Sequence, residues 1–426
     1  MPEIASGAPE PERGPEPRPG SEPRGGEAAG PAPASPPGAA GPAEPRHATW
    51  LELFFDLVAV AGVAQLAHLL YGEPDGRDLA LYAVLFVAFW TAWVNTTLYG
   101  NVAADSTRTR TLLLGMFGLA VMASAVHGVR EGDRTGAFAL AYVLVRFSAG
   151  QVWQNRHQNV AGWPVAGFTV GVAPWIASLW APEEARLWLW AGGLAIDLAL
   201  TLAAPTRTGP GDRDERAGDR PAAAAARIDP RHLAERLGLF TLIVLGEGVY
   251  QLVDAASEAP WDRDLFIGGP AAFLALVLVW SLSLRKGREA LPFLPAGDRT
   301  TPRLALGLHC CATGCLAALA AGMGATLAHE EAGGLPASSL IMAAGAAGYL
   351  LIASAVRIGA HPASWRRTAA GSVPALALCL LTALTADEGT PAHRILLVTA
   401  ALACLSATGR TPHHSRPDRR AVPHTT

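Results

Sequence analysis

Half of the 426 residues are hydrophobic, 16% are charged and the mean hydropathy is +0.25 in spite of long polar ends, a balance that excludes an ordinary water-soluble domain. The formal net charge is -3 and Lys286 is the single lysine, so no basic surface for nucleic acid is expected. The composition points to an all-α, polytopic integral membrane helix bundle whose first partner is the lipid bilayer.

Residues 1–48 are dominated by Pro, Gly, Ala, Glu and Arg and cannot bury enough apolar surface to offset the entropy of ordering, so a disordered cytoplasmic tail is expected there. This stretch lacks the apolar core and small-residue cleavage site of a signal peptide, leaving insertion to the first spanning helix. A spanning helix needs about 20 mostly apolar residues. Twelve stretches qualify, near 50–70, 78–99, 109–128, 136–156, 163–181, 185–204, 232–254, 265–284, 303–328, 337–357, 370–386 and 393–409. The polar stretch 205–231 reads as a cytoplasmic linker between two six-helix halves, 49–204 and 232–409, and 410–426 as a second polar tail. Connections on the side of the amino terminus hold sixteen Arg and Lys residues against five on the other, which predicts both termini in the cytoplasm of a bacterial plasma membrane. Setting His47 on His232 also matches Phe55 with Phe240 and Leu57 with Leu242, so a parallel six-plus-six repeat of the kind used by transporters is a possibility.

Charge inside a span costs about 2.5–3.5 kcal/mol at mid-helix on insertion scales, so each such residue needs a partner, water or a role. In the first span, LELFFDLVAVAGVAQLAHLL, Glu52 and Asp56 are four residues apart on one face, with Asp56 about 9 Å inside Trp50 by helical rise. Glu52 has a plain reading as an acid at a positive helix end. Asp56 is too deep for that reading alone, and a partner such as Arg146 or a wet cavity is expected. The second span ends FWTAWVNTTLYGN, where Trp90, Trp93 and Tyr99 read first as an interfacial aromatic belt. Asn95, Thr96 and Asn101 add hydrogen-bonding capacity near Asp105 and Arg108. Arg146 falls near the middle of the fourth span and Asp197 at similar depth in the sixth, which makes Arg146 a counter-ion for Asp197 or for Asp56.

The seventh span, RHLAERLGLFTLIVLGEGVYQLV, follows Asp229 and Pro230, an N-cap and first helical residue. Glu235 and Arg236 sit in its first turns, where solvated boundary charges are the plain reading. Glu247 lies about 18 Å further along, between Gly246 and Gly248, which would admit another backbone. His309, Cys310, Cys311 and Cys315 lack metal-ligand spacing, so neither a metal nor a cofactor is expected. All five cysteines lie in apolar stretches and read as small buried hydrophobes. The sequence has no Gly-rich phosphate loop, HExxH or GxSxG site, and the reading leans away from an enzyme.

Together WLELFFDLVAVAGVAQLAHLL, FWTAWVNTTLYGN and especially ERLGLFTLIVLGEGV resemble the bacterial low temperature requirement protein A (LtrA) family over roughly residues 47 to 410. The resemblance implies a polytopic membrane protein named for growth in the cold, with no defined activity. It maps Glu52 and Asp56 onto the acids of the family's first helix, Glu235 and Arg236 onto its Glu-Arg pair, Glu247 onto its Gly-Glu carboxylate and Arg146 onto the arginine of its fourth helix. Where members usually carry Asn-Arg-Phe and paired acids, this chain keeps Asn101 and one acid.

The leading expectation is a proton- or ion-coupled transporter of a small solute, with Asp56 and Glu247 taking a proton or cation and Arg146 an anionic group. Glu52, Asp197, Glu235, Arg236 and Asn101 complete the candidate binding residues. The alternative is a membrane-embedded enzyme or accessory factor acting on a lipid or isoprenoid with the same acids. A third reading has the charges only joining helices.

Overall fold

The computed structural model describes residues 48–103, 109–155, 170–203, 229–284, 302–328, 337–386 and 389–408, all within one compact unit, Pro45–Thr426. Its helices are α1 (Trp50–His68), α2 (Gly76–Ala103), α3 (Thr109–Arg130), α4 (Thr135–Asn155), the short α5 (Ala173–Ala177), α6 (Glu183–Ala203), α7 (Pro230–Glu258), α8 (Arg263–Leu284), α9 (Pro302–Leu327), α10 (Ala337–Ala360), α11 (Trp365–Leu384) and α12 (Pro391–Thr408). No strand occurs among the described residues. Nine of these helices, α1–α3 and α7–α12, are long and apolar enough to cross a membrane, and α4 has a shorter apolar run over Thr135–Ser148. Most of the expected fifth span lies outside the described residues. Its described end holds only α5 and a 3-10 turn, Ser178–Trp180.

The helix boundaries follow from local chemistry. α1 starts at a capping box, in which Thr49 Oγ1 accepts from the Glu52 backbone and the Glu52 carboxylate accepts from the Thr49 N–H. α7 starts as the sequence predicts, with the Asp229 carboxylate accepting from the backbones of Arg231 and His232 and with Pro230 in the first turn.

Burial in α1 is the reverse of a soluble protein's pattern. Phe54 and Leu57 are exposed while Glu52 and Asp56 are buried. Exposed apolar side chains all round the bundle and buried charges within it suit a hydrocarbon surround, where a polar group must find its partner inside the protein. Trp50, Trp180, Trp261 and Trp365 are exposed near helix ends, where amphipathic rings suit a membrane interface. The protein is a multi-pass helical membrane protein.

Packing neighbours recur between the halves. α1 packs on α2 and α3, α3 on α4, α4 on α5, α5 on α6, and α6 returns to α2. In the second half α7 packs on α8 and α9, α9 on α10, α10 on α11, α11 on α12, and α12 returns to α8. The halves meet where α1 and α2 pack on α7 and α9.

Candidate functional site

At the face where α1 and α7 begin, two i, i+4 pairs confront each other. Glu52 and Asp56 on α1 face His232 and Arg236 on α7, and because the helices run in parallel each residue meets its counterpart one turn apart. Arg236 Nη1 donates to Asp56 Oδ2 at 2.7 Å and to the Glu52 carbonyl at 2.7 Å, while Trp93 Nε1 donates to Asp56 Oδ1 at 2.9 Å. Both carboxylate oxygens of Asp56 are therefore bonded, and the group is buried. The expected partner Arg146 is elsewhere, and the boundary reading of Arg236 fails, since that side chain is 1% exposed. The reason is its direction: at position 236 the side chain points into the seam between the halves, where Asp56 and a helix-terminal carbonyl satisfy it. Glu235, one residue earlier on a neighbouring face, is half-buried.

His232 Nε2 lies 3.4 Å from Glu52 Oε2, and Asn101 Nδ2 lies 3.1 Å from His232 Nδ1. An amide nitrogen only donates, so Nδ1 accepts and Nε2 carries the proton toward Glu52. Asn101 also clasps the N-cap backbone of α7, accepting from Asp229 N at 2.8 Å and donating to Asp229 O at 2.9 Å. Gly100 makes room for the Glu52 carboxylate, since a methyl there would sit 2.9 Å from Glu52 Oε1. Asp105 and Arg108 lie outside the described residues.

Deeper in the same seam, Trp90 Nε1 donates to His309 Nδ1 at 3.2 Å and His309 Nε2 donates to the Leu237 carbonyl at 3.0 Å. Both ring nitrogens are thereby engaged, which removes His309 as a metal ligand, and no metal-holding group of His, Cys, Asp or Glu occurs among the described residues. Trp90, Trp93 and Tyr99 are all buried and form no belt at a membrane surface; the indoles serve as N–H donors to a histidine and a carboxylate. Replacing His309 by Phe leaves the Trp90 N–H and the Leu237 carbonyl to lose a partner each. It is expected to lower stability by about 1–3 kcal/mol, read as a fall in thermal unfolding temperature in detergent.

Arg146 and Asp197 pair with each other at 2.6 Å within the first half. The Arg146 guanidinium also lies 5.8 Å from the ring centre of Tyr142. Beside them Tyr142, Phe138, Trp175 and Trp190 form an aromatic stack, with Trp175 and Trp190 parallel at 5.0 Å. Gly171 lies against Asp197.

Glu247 stands apart from both pairs. It is 3% exposed, and its hydrogen bond comes from its own helix, Gln251 Nε2 donating to Oε1 at 2.9 Å. Among the described residues no arginine or lysine bonds it. Gln251 is itself 1% exposed, with its Oε1 unpartnered. Of the flanking glycines, Gly248 packs closely, since a methyl there would meet Leu276 and Ala320 side chains at 3.0 and 3.2 Å. Gly246 has open space beside it, so the expected backbone approach does not occur at either.

Apart from the half-buried Glu235, the candidate residues therefore fall into three places. Glu52, Asp56, Arg236 and Asn101 come together at the interface of the halves, Arg146 and Asp197 pair inside the first half, and Glu247 is separate. His232, Trp93 and Gln251 were not among the candidate binding residues, Trp93 being read as part of an aromatic belt, though His232 repeats toward Arg236 the spacing of Glu52 to Asp56, and Gln251 stands four residues after Glu247.

A model of the family described as bacterial low temperature requirement A protein (LtrA) matches residues 47–407. An uncharacterised protein of Rhizobium meliloti (strain 1021) is 28% identical over 268 residues, which cover 57% of this chain and 59% of that relative. The match thus spans less than two thirds of that relative's length. No solved structure matches the chain.

Proposed function

This chain belongs to the bacterial low temperature requirement A family, and from that premise we propose that it is a proton- or ion-coupled transporter of a small solute in which Glu247 carries the coupling ion. The observation that supports this reading is the setting of Glu247: a carboxylate buried in a membrane-spanning helix and bonded, among the described residues, by an amide alone takes its neutralising charge from a proton or a small cation. Asp56, expected to take a proton or cation, has both carboxylate oxygens bonded by Arg236 and Trp93, and Arg146, expected to bind an anionic group, is paired with Asp197. Their role in this proposal is to brace the bundle, with the Asp56 cluster closing the seam between the halves.

The proposal places the amino-terminal face in the cytoplasm, since the arginine-rich connections lie on that side. It takes the bundle as twelve spans in two halves in the bacterial plasma membrane, with the tails and the linker cytoplasmic.

Proteoliposomes enclosing a pH indicator, challenged with pools of small solutes, test the function without a known substrate. At least one pool is expected to evoke proton entry through the wild-type protein, and Glu247→Gln should abolish that response while the protein remains folded. A response of wild-type size in Glu247→Gln would remove Glu247 from the mechanism.

A further inference from the structure

Glu247 is buried, so an ion that reaches it must pass along a definite set of groups. At the face opposite the amino terminus three helices supply one. His68 closes α1 and is exposed to its surroundings, and its ring meets that of Tyr71 edge-on at 5.0 Å. Tyr71, in the turn after α1, is half-buried. Its hydroxyl reaches α9 at Gly324, where an added methyl would stand 3.1 Å from Tyr71 Oη, 3.2 Å from Gln251 Cβ and 3.4 Å from the Gln251 carbonyl. A side chain larger than hydrogen at 324 would occupy the place where the phenol and α7 come together. Gln251 then bonds Glu247. Burial deepens along this series, from exposed His68 through half-buried Tyr71 to Gln251 and Glu247, the gradation expected of a route from water to a buried acid.

Two further features fit. Gln251 serves Glu247 in either protonation state, since its N–H donates to the carboxylate and its Oε1, buried and without a partner, accepts from a carboxylic acid O–H once the amide rotates. His68 also acts electrostatically on Glu247, as does Asp254 one turn beyond Gln251. Some of the other ionisable groups at this face are paired with each other. Arg77 pairs with Glu183, Arg130 with Asp78, and His127 with Glu131. Among the described residues no acid is bonded to His68, and it is the imidazole at this face whose ring meets Tyr71.

We propose that His68 is the proton-exchange group through which Glu247 communicates with the aqueous phase at the face opposite the amino terminus, with Tyr71 and Gly324 forming the passage between them. This rests on the reading of Glu247 as the coupling site. The proton leaves a water or buffer molecule, occupies a ring nitrogen of His68 and is released to the Glu247 carboxylate; no electrons are exchanged.

Time-resolved infrared spectroscopy of the full chain in proteoliposomes, after a pH drop in the external medium, follows the protonated-carboxyl band directly. Orientation is assigned by protease access to the tails. The wild-type protein should gain a band that Glu247→Gln lacks. In His68→Phe the band should reach the same final amplitude about a hundredfold more slowly, the lower end of what a positioned proton-transfer group contributes. Free imidazole in the external medium should restore the rate, which a merely structural histidine would not permit. His68→Gln, closer in shape to the native ring edge, should be slowed as well. Filling at the wild-type rate in both His68 variants would overturn the route while leaving Glu247 in place. A band that persists in Glu247→Gln would overturn the coupling site beneath it.

Discussion

Replacing Arg236 by Gln is expected to destabilise the folded protein by about 3–5 kcal/mol, the cost of breaking a buried ion pair from one side. The guanidinium is 1% exposed and bonds Asp56 at 2.7 Å and the Glu52 carbonyl at 2.7 Å. Its loss strands a carboxylate at the junction of the halves, with Trp93 as the remaining donor. Asp56→Asn should be costly from the other side, whereas the double variant Asp56→Asn, Arg236→Gln should recover most of the loss, because neither charge then remains unpaired. Unfolding in detergent followed by tryptophan fluorescence gives the full double-mutant cycle. An Arg236→Gln protein within about 1 kcal/mol of wild type would show that the pair is not closed in the membrane.

The second large effect is expected where α9 and α10 cross. A methyl on Gly345 would lie 2.6 Å from Leu319 N and 2.7 Å from the Cys315 carbonyl, and one on Gly322 would lie 2.5 Å from Met342 N and 2.7 Å from the Ser338 carbonyl. These obstacles are backbone atoms, which cannot swing aside as a side-chain end can, and the two glycines seat the antiparallel helices reciprocally. Without a hydrophobic drive between helices in lipid, close backbone approach is a main source of their association. Gly345→Leu is expected to cost about 3 kcal/mol or more, the upper part of the usual range for overpacking, and to appear as loss of monodisperse protein on size-exclusion chromatography. Gly246→Ala is the control. It has nothing within 4 Å and should be neutral or gain up to about 1 kcal/mol from helix propensity. Equal behaviour of the two variants would show that the α9–α10 contact is looser than described.

The aromatic residues of FWTAWVN show why composition misled at one point. A tryptophan near the end of a span reads as a headgroup anchor because its ring is amphipathic. The same amphipathicity suits it to donate an N–H inside a bundle, and Trp93 does so to Asp56 and Trp90 to His309. Sequence spacing carries the face of a helix but not what stands opposite, so both uses have one linear signature. The partner of Arg146 was open for the same reason. Asp56 and Asp197 lie at comparable depth, and only the tertiary arrangement, which brings Asp197 within 2.6 Å of Arg146, decides for Asp197.

By itself the sequence determined the helical membrane class, the approximate limits of the spans it shares with the structure, the N-cap of α7 and the buried depth of Asp56, Arg146 and Glu247. These follow from quantities local to a segment: apolar length against bilayer thickness, capping chemistry, and 1.5 Å of rise per residue. The tertiary structure decided which charges meet. Asp56 and Arg236 are separated by 180 positions and Arg146 and Asp197 by 51, and their encounters depend on which helices are neighbours and in what register. It also decided that Glu247 meets no cation among the described residues, a property of its surroundings that no reading of LGEGV alone contains.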